Sequence, residues 1–233
     1  MILTAHQPTY LPWLGLFHKI ALADAFVSYN QVQYQVDNWN NRNKILTPNG
    51  SSWLTVPVFH TGHLDDIISN INIDQKNPWR RKHWTKIQHS YGKTPYFNDY
   101  RSFFEDIYSK EWEKLVHLNE YLLQGLLEIL KINIKYYSAA DYSFEGAKSE
   151  RVLDMCLKLN ATKFIFGTHG KSYANTKSFK DKGISIYFQD YIHPTYPQRF
   201  DDFTPYMSII DLLFNCGPQS YDIIMMNNLE EIV

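Results

Sequence analysis

Four polar clusters in this 233-residue chain hold the residue types that acid–base and binding chemistry need. The first is His6-Gln7-Pro8-Thr9-Tyr10-Leu11-Pro12-Trp13, with His18 one turn into the stretch that follows. Two prolines fix the loop while His, Gln, Thr and Tyr crowd its start, a rigid presentation that preorganises polar groups. A histidine so placed can act as a general base or donate to a phosphate oxygen; the plainer alternative is that it satisfies loop carbonyls. The second cluster, Gln33-Tyr34 and Asp37-Asn38-Trp39-Asn40-Asn41-Arg42-Asn43, surrounds one arginine with amides. Trp39, Asn41 and Arg42 suit hydroxyls, carbonyls and planar rings such as sugars and nucleobases. A solvated hairpin entrance would be Asn-rich too. In the third cluster, Thr168-His169-Gly170-Lys171-Ser172-Tyr173, backbone N–H groups and Lys171 can hold an anion, with His169 and Tyr173 beside it. The fourth is Gln189-Asp190-Tyr191, His193-Pro194 and Tyr196-Pro197-Gln198-Arg199, joined by Ser208 and Asp211. Asp211 lies between Ile210 and Leu212 and needs a partner there, so structural pairing is its simplest role, although it stays among the candidate binding residues.

Familiar fingerprints are missing. No Gly-rich dinucleotide turn follows the first apolar run, and no G-x-S-x-G, H-E-x-x-H or acidic calcium loop occurs. Gly170-Lys171-Ser172 resembles the end of a phosphate loop, but the first glycine of that motif would fall at Ile165. His60 and His63 are close, yet Gly62 and Asp65-Asp66 share their loop, so a solvated turn accounts for them and no metal is expected. Cys156 and Cys216 are too few and too far apart for a disulfide scaffold and read as reduced core thiols.

The elements that must position these clusters follow from periodicity. Residues 2–5 form a short apolar strand, Trp13 to Ala23 carries helical spacing, and Ala25-Phe26-Val27 is another strand, which makes a parallel unit. The His6 loop then falls at the carboxyl end of the first strand, where open α/β sheets bind ligands. Lys44-Ile45-Leu46-Thr47 and Trp53-Leu54-Thr55-Val56 flank Pro48-Asn49-Gly50-Ser51 as a hairpin. Ile67 to Ile73 is expected to add a strand. From Trp112 to Lys131, Leu115, Leu118, Leu122, Leu126 and Ile129 recur at helical intervals and leave Glu113, Lys114, Glu120 and Glu128 for solvent. Alternation resumes with strands at Ile132–Tyr137, Lys163–Gly167 and Ile184–Phe188, a helix at Ser149–Leu159, and a helix from Met207 to Phe214 stopped by Gly217-Pro218. The fold class is therefore α/β, a mainly parallel sheet core with a β-hairpin and helical insertion. No linker or repeat divides residues 1–233, and one domain is expected.

Composition narrows the partners. Lys and Arg total 23 against 24 Asp and Glu, a formal charge of -1, so no overall basic field favours nucleic acid. No apolar run nears the ~18 residues of a membrane span and no basic leader opens the chain, so a cytoplasmic protein is expected. The 37 aromatic residues, many beside Asn, Gln, Pro or His, suit a ligand groove or a subunit interface, which leaves a homo-oligomer open.

Ala5 to Gly15, Trp39-Asn40-Asn41-Arg42-Asn43, Thr47-Pro48-Asn49-Gly50, Trp53 to Pro57, His193-Pro194, Tyr196-Pro197-Gln198 and Ser208 to Asn215 closely resemble the WbqC-like family of bacteria and archaea. The resemblance implies a link to surface-polysaccharide (O-antigen) biosynthesis and the attachment of glycine or another acyl group to an amino sugar. It brings no catalytic residues and no cofactor. The residues and the resemblance together point to a small-molecule enzyme acting on a nucleotide-linked amino sugar. His6 is the first candidate base and His193 the second. Asn41, Gln7 or amides near Gly170 would meet the oxyanion. Tyr10, Trp13, Trp39, Arg42, His169, Lys171, Tyr173, Gln198 and Asp211 complete the candidate binding set. Two alternatives stand beside this reading: an ATP-dependent adenylate-forming enzyme, and a non-catalytic glycan-binding subunit.

Overall fold

The computed structural model describes residues 1–59, 66–200 and 202–229; His60, Gly62, His63 and Asp65 lie outside them. A five-stranded, all-parallel sheet forms the centre. It comprises β1 (Ile2–His6), β2 (Ala25–Ser28), β5 (Lys135–Ser138), β6 (Lys163–Phe166) and β7 (Ser185–Phe188), in the order β5-β2-β1-β6-β7. Between β2 and β5 the chain inserts the antiparallel hairpin β3 (Arg42–Thr47) and β4 (Gly50–Thr55), then α2 (Trp79–Tyr91), α3 (Phe97–Ser109) and α4 (Leu115–Ile129). The expected α/β sheet with a hairpin and helical insertion is the observed architecture.

Each face of the sheet has its own core, because alternate strand residues point to opposite sides. Leu3, Ala25, Val27, Phe164 and Phe166 pack with Val152, Met155 and Cys156 of α5 (Ser149–Lys158) and Phe179 of α6 (Thr176–Asp181). On the other side, Phe26 and Ile165 join a larger cluster with Leu14 and Phe17 of α1 (Leu14–Ala21), Leu118 and Leu122 of α4, and Leu212 to Phe214 of α7 (Ile209–Cys216). A last short helix, α8 (Ser220–Met225), follows. Gly217 ends α7 at φ 54, and a Cβ there would stand 2.4 Å from the Tyr96 ring, so the stop at Gly217-Pro218 has both a backbone and a packing cause.

Two expectations are corrected. Ile67 to Ile73 is no strand: Ile68–Asn70 makes a short 3-10 turn, with isolated bridges Gln33↔Ile67 and Val58↔Ile73 on either side. Glu120 does not face solvent but is half-buried against the sheet edge, since α4 is covered on more than one side. Both cysteines are free and buried, and burial pushes their thiols up, Cys156 to about 12 and Cys216 to about 11. No described helix is long and apolar enough to cross a membrane.

Candidate functional site

The strand order reverses at β1 and β6: successive strands run outward from β1 through β2 on one side and from β6 to β7 on the other. In open α/β sheets such a reversal is where ligands bind, outside the carboxyl ends of the strands, and His6 is the last residue of β1. The following loop is held under strain. Leu11 sits in the left-handed region at φ 46, fixed by an Asn43 Nδ2 bond to its carbonyl at 2.5 Å. Ile209 N donates to Pro12 O at 2.9 Å, and Tyr10 N to Trp39 O at 3.1 Å.

His6 Nδ1 lies 2.8 Å from the Gln7 carbonyl. A carbonyl only accepts, so Nδ1 carries the proton and Nε2 keeps a lone pair. Burial, helped by the charge of Lys19 and opposed by the Gln7 carbonyl, pushes the imidazole down to about 3, so it is neutral at any physiological pH. Lys19 is the unexpected neighbour. Only 4% exposed, it donates from Nζ to the Ala5 carbonyl at 3.0 Å, and no carboxylate pairs with it among the described residues. Burial pulls its ammonium down to about 8.

Strand register builds the rest of the rim. His6 is level with Ser28, and Ser28 with Ser138, so three polar side chains share one face across β1, β2 and β5. Ser28 Oγ donates to Glu120 Oε1 at 2.5 Å, while Asn30 Nδ2 donates to the same oxygen at 3.0 Å and to Ser138 Oγ at 2.8 Å. A carboxylate, a neutral imidazole and a poised amine thus lie along the carboxyl edge.

From His6 an aromatic ladder leads outward. Ring centroids are 5.2 Å apart for His6–Trp13, 6.1 Å for Trp13–Trp39 and 5.5 Å for Trp39–Trp53. Trp39 and Trp53 are 39% and 40% exposed, a costly display for bare indoles. Arg42 and Lys44 lie 4.6 and 4.9 Å from the Trp53 ring centroid, and Asp37 pins Arg42 at 2.8 Å. The ladder offers successive faces to flat or ring-shaped ligands.

The model of the WbqC-like protein family matches residues 7–223 of this sequence. The chain belongs to the WbqC-like family. It is also 33% identical over 218 residues to Rv1507c of Mycobacterium tuberculosis, a protein described as uncharacterized, covering 93% of this chain and 94% of that one. No solved structure matches.

Within this WbqC-like chain the remaining candidates fall into three groups. Trp13, Trp39 and Arg42 join His6 on the ladder, and Gln7 follows His6 with its Oε1 3.5 Å from Asn40 Nδ2. Asn41 donates to Val56 O at 2.9 Å, and its buried Oδ1 has no partner among the described residues. His169 and Lys171 are exposed on the 3-10 turn Thr168–Ser172 after β6, and Tyr173, also exposed, follows it. Gly170 lets that turn close on the strand, since a Cβ there would stand 2.5 Å from Phe166 Cβ.

Tyr10, His193, Gln198 and Asp211 present no open polar atom. The Tyr10 hydroxyl bonds His83 Nδ1 at 2.9 Å and Tyr108 Oη at 2.6 Å, wholly inside the core. His193 Nδ1 bonds Pro194 O at 2.8 Å and its Nε2 accepts from Tyr206 N at 3.2 Å, amid Tyr191, Tyr196, Phe203 and Tyr206. Asp211, 0% exposed, accepts from Tyr91 at 2.9 Å, Tyr196 at 2.9 Å and Gln198 at 2.7 Å, and Gln198 also spans Thr204. Lys19, Glu120 and Asn30 are the site residues that sequence reasoning missed. For Lys19 a signal existed, because Leu14 to Ile20 leaves an eight-residue helix no polar face to place a lysine on. Glu120 and Asn30 carried none.

Proposed function

We propose that this protein is an acyl or glycyl-type aminoacyl transferase that acylates the amine of a nucleotide-linked amino sugar. The His6 imidazole at the foot of the Trp13–Trp39–Trp53 ladder, its Nδ1 turned to the Gln7 carbonyl so that Nε2 keeps the lone pair, is the observation that carries this reading. The sugar or base lies against the indoles, and its ammonium enters the rim beside Glu120, whose carboxylate holds it before reaction. The amine loses a proton, its nitrogen attacks the acyl carbon, and the N–C bond forms as the bond to the donor's leaving group breaks. Nε2 of His6 is the lone pair that accepts the amine hydrogen first. Lys19, held at about 8, exists in part as the free amine, and in that form its nitrogen takes the proton from the imidazole and becomes the ammonium. Gln7 supplies an N–H toward the acyl oxygen.

The test is a mass-spectrometric screen of nucleotide-linked amino sugars with glycine plus ATP, acyl-CoA and formyl donors. A mass gain on the amine that disappears in His6→Ala supports the reading. A glycan-binding role is the second reading, favoured by the exposure of Trp39 and Trp53; stabilisation by neutral oligosaccharides with no response to any nucleotide sugar or ATP would put it first.

A further inference from the structure

We propose that a second ligand site lies away from the carboxyl edge of the sheet, in the groove between the hairpin tip and α2, and that it takes a diphosphate. The groove encloses about 780 Å³, a size suited to a small molecule, and its walls combine Arg81, Lys82, Lys86 and His89 with the hydroxyls of Ser51 and Ser52. No acidic residue lines it among the described residues. The charge pattern of the chain singles out this place. No Asp or Glu occurs between Asp37 and Asp65 or between Asp74 and Asp99, although these two stretches carry 8 of the 23 Lys and Arg residues. All 24 acids lie elsewhere, so the near-neutral total hides a basic face.

Comparison with the other helices shows that this imbalance is not how the protein ordinarily builds a surface. Helices α3, α5 and α6 carry i,i+4 pairs of opposite sign: Arg101–Glu105, Asp106–Lys110, Asp154–Lys158 and Lys177–Asp181. On α2 the corresponding pair is Lys82 and Lys86, two like charges one turn apart, an arrangement that weakens a helix. Arg81, Lys82, Lys86 and His89 lie within nine residues on the groove side, and Arg81 and Lys82 are exposed with no ion pair among the described residues. Glu105, beyond Arg81, is already bonded to Arg101 at 2.7 Å. Lys86 is set in place, its Nζ 2.5 Å from Ser52 Oγ, which closes the floor of the groove. The Arg199 guanidinium binds the His89 carbonyl at 3.0 Å and adds charge at the carboxyl end of α2.

Unpaired guanidinium and ammonium groups facing hydroxyls are the chemistry of phosphate recognition. Among the described residues the groove lining holds no Phe, Tyr or Trp, and His89 is its one ring, which favours the phosphates over a nucleobase as the part recognised. Two adjacent phosphates match a row of cations extending over two helical turns better than one does. The site is independent of the acylation chemistry proposed above.

Calorimetric titration of the intact protein with pyrophosphate at low salt tests the assignment. Pyrophosphate should bind at least about tenfold more tightly than inorganic phosphate, and Arg81→Ala/Lys82→Ala should lose at least about tenfold in affinity while Lys180→Ala, an exposed lysine of α6, loses none. Lys82→Glu adds a second readout: it should abolish binding yet raise the melting temperature of the ligand-free protein, because it turns a repulsive i,i+4 pair into an attractive one. Nucleoside diphosphates in solution and a lipid-linked diphosphate in neutral vesicles separate a soluble from a membrane source of the same group. Absence of pyrophosphate binding, equal affinity for phosphate, or an unchanged double variant would overturn the proposal. So would a single-stranded oligonucleotide that binds tenfold more tightly than pyrophosphate and displaces it.

Discussion

Two buried polar groups, the Asp211 knot and the His6–Lys19 pair, lie in the same molecule and obey opposite rules. Asp211 receives three side-chain donors, from Tyr91, Tyr196 and Gln198, so desolvation is compensated atom by atom. Burial still raises its carboxyl above the ordinary range, with those three bonds opposing the rise. Among the described residues His6 makes one hydrogen bond for two ring nitrogens, and Lys19 makes one with three donors to offer. Thr9 Oγ1, Asn40 Oδ1 and Asn41 Oδ1, on the loop and hairpin entrance that follow, are likewise buried and have no hydrogen-bond partner among the described residues. A closed account marks a group that holds the fold together. An open one marks a place where something else completes the bonding.

This contrast is broken most severely by His6→Ala. Turnover should fall about 10²–10⁴-fold with the circular dichroism spectrum unchanged, the loss expected when a proton-transfer group is removed. Near-normal turnover in a folded variant would take His6 out of the mechanism. Asp211→Asn should do the reverse, lowering stability by about 2 kcal/mol in denaturant unfolding while ligand affinity holds, since one of the aromatic hydroxyls or Gln198 loses a charged acceptor. If affinity falls instead with stability intact, the two regions are not different in kind.

Proton linkage sharpens the comparison further. The folded pKa of His6 is about 3 against 6.5 for a free histidine, so between those values the unfolded chain binds the extra proton. Stability should therefore fall as pH drops from about 6.5 toward 3, by up to about 1.4 kcal/mol per pH unit from this group. His6→Gln should flatten that slope in acid titrations followed by unfolding. For Lys19, at about 8 against 10.5, the unfolded chain again holds the proton, and stability should rise between about pH 8 and 10. Lys19→Met should remove the rise; if the rise persists, the ammonium is not the buried group described.

The smallest effect concerns the outer end of the ladder. Arg42→Lys should weaken a verified nucleotide-sugar ligand by about tenfold, because an ammonium cannot reproduce both the fork to Asp37 and the stacking on Trp53. Unchanged calorimetric affinity would make the Asn-rich stretch a hairpin entrance and no more. In the same series Lys171→Ala should reduce the extra melting-temperature gain that nucleotide-linked sugars give over free sugars.

The local pattern of residues determined the parallel unit around His6, the Asn49-Gly50 hairpin, the Leu-spaced helix α4 and the punctuation at Gly217-Pro218. Each of these rests on backbone preference and hydrophobic period, which act over a few residues. Tertiary structure alone decided that β1 and β6 would be the neighbours at which the order reverses, and that the register would set His6 beside Ser28 and Ser138. It also turned Glu120 away from water toward Ser28 and Asn30, buried Lys19 without a carboxylate, and enclosed Tyr10, Gln198 and Asp211, whose residue types had suggested a binding surface. Polar side chains carry no period that announces their partners. Whether one is spent on the fold or left open is fixed by contacts such as Ser28–Glu120, 92 positions apart, and Tyr91–Asp211, 120 apart, which exist only once the chain has folded.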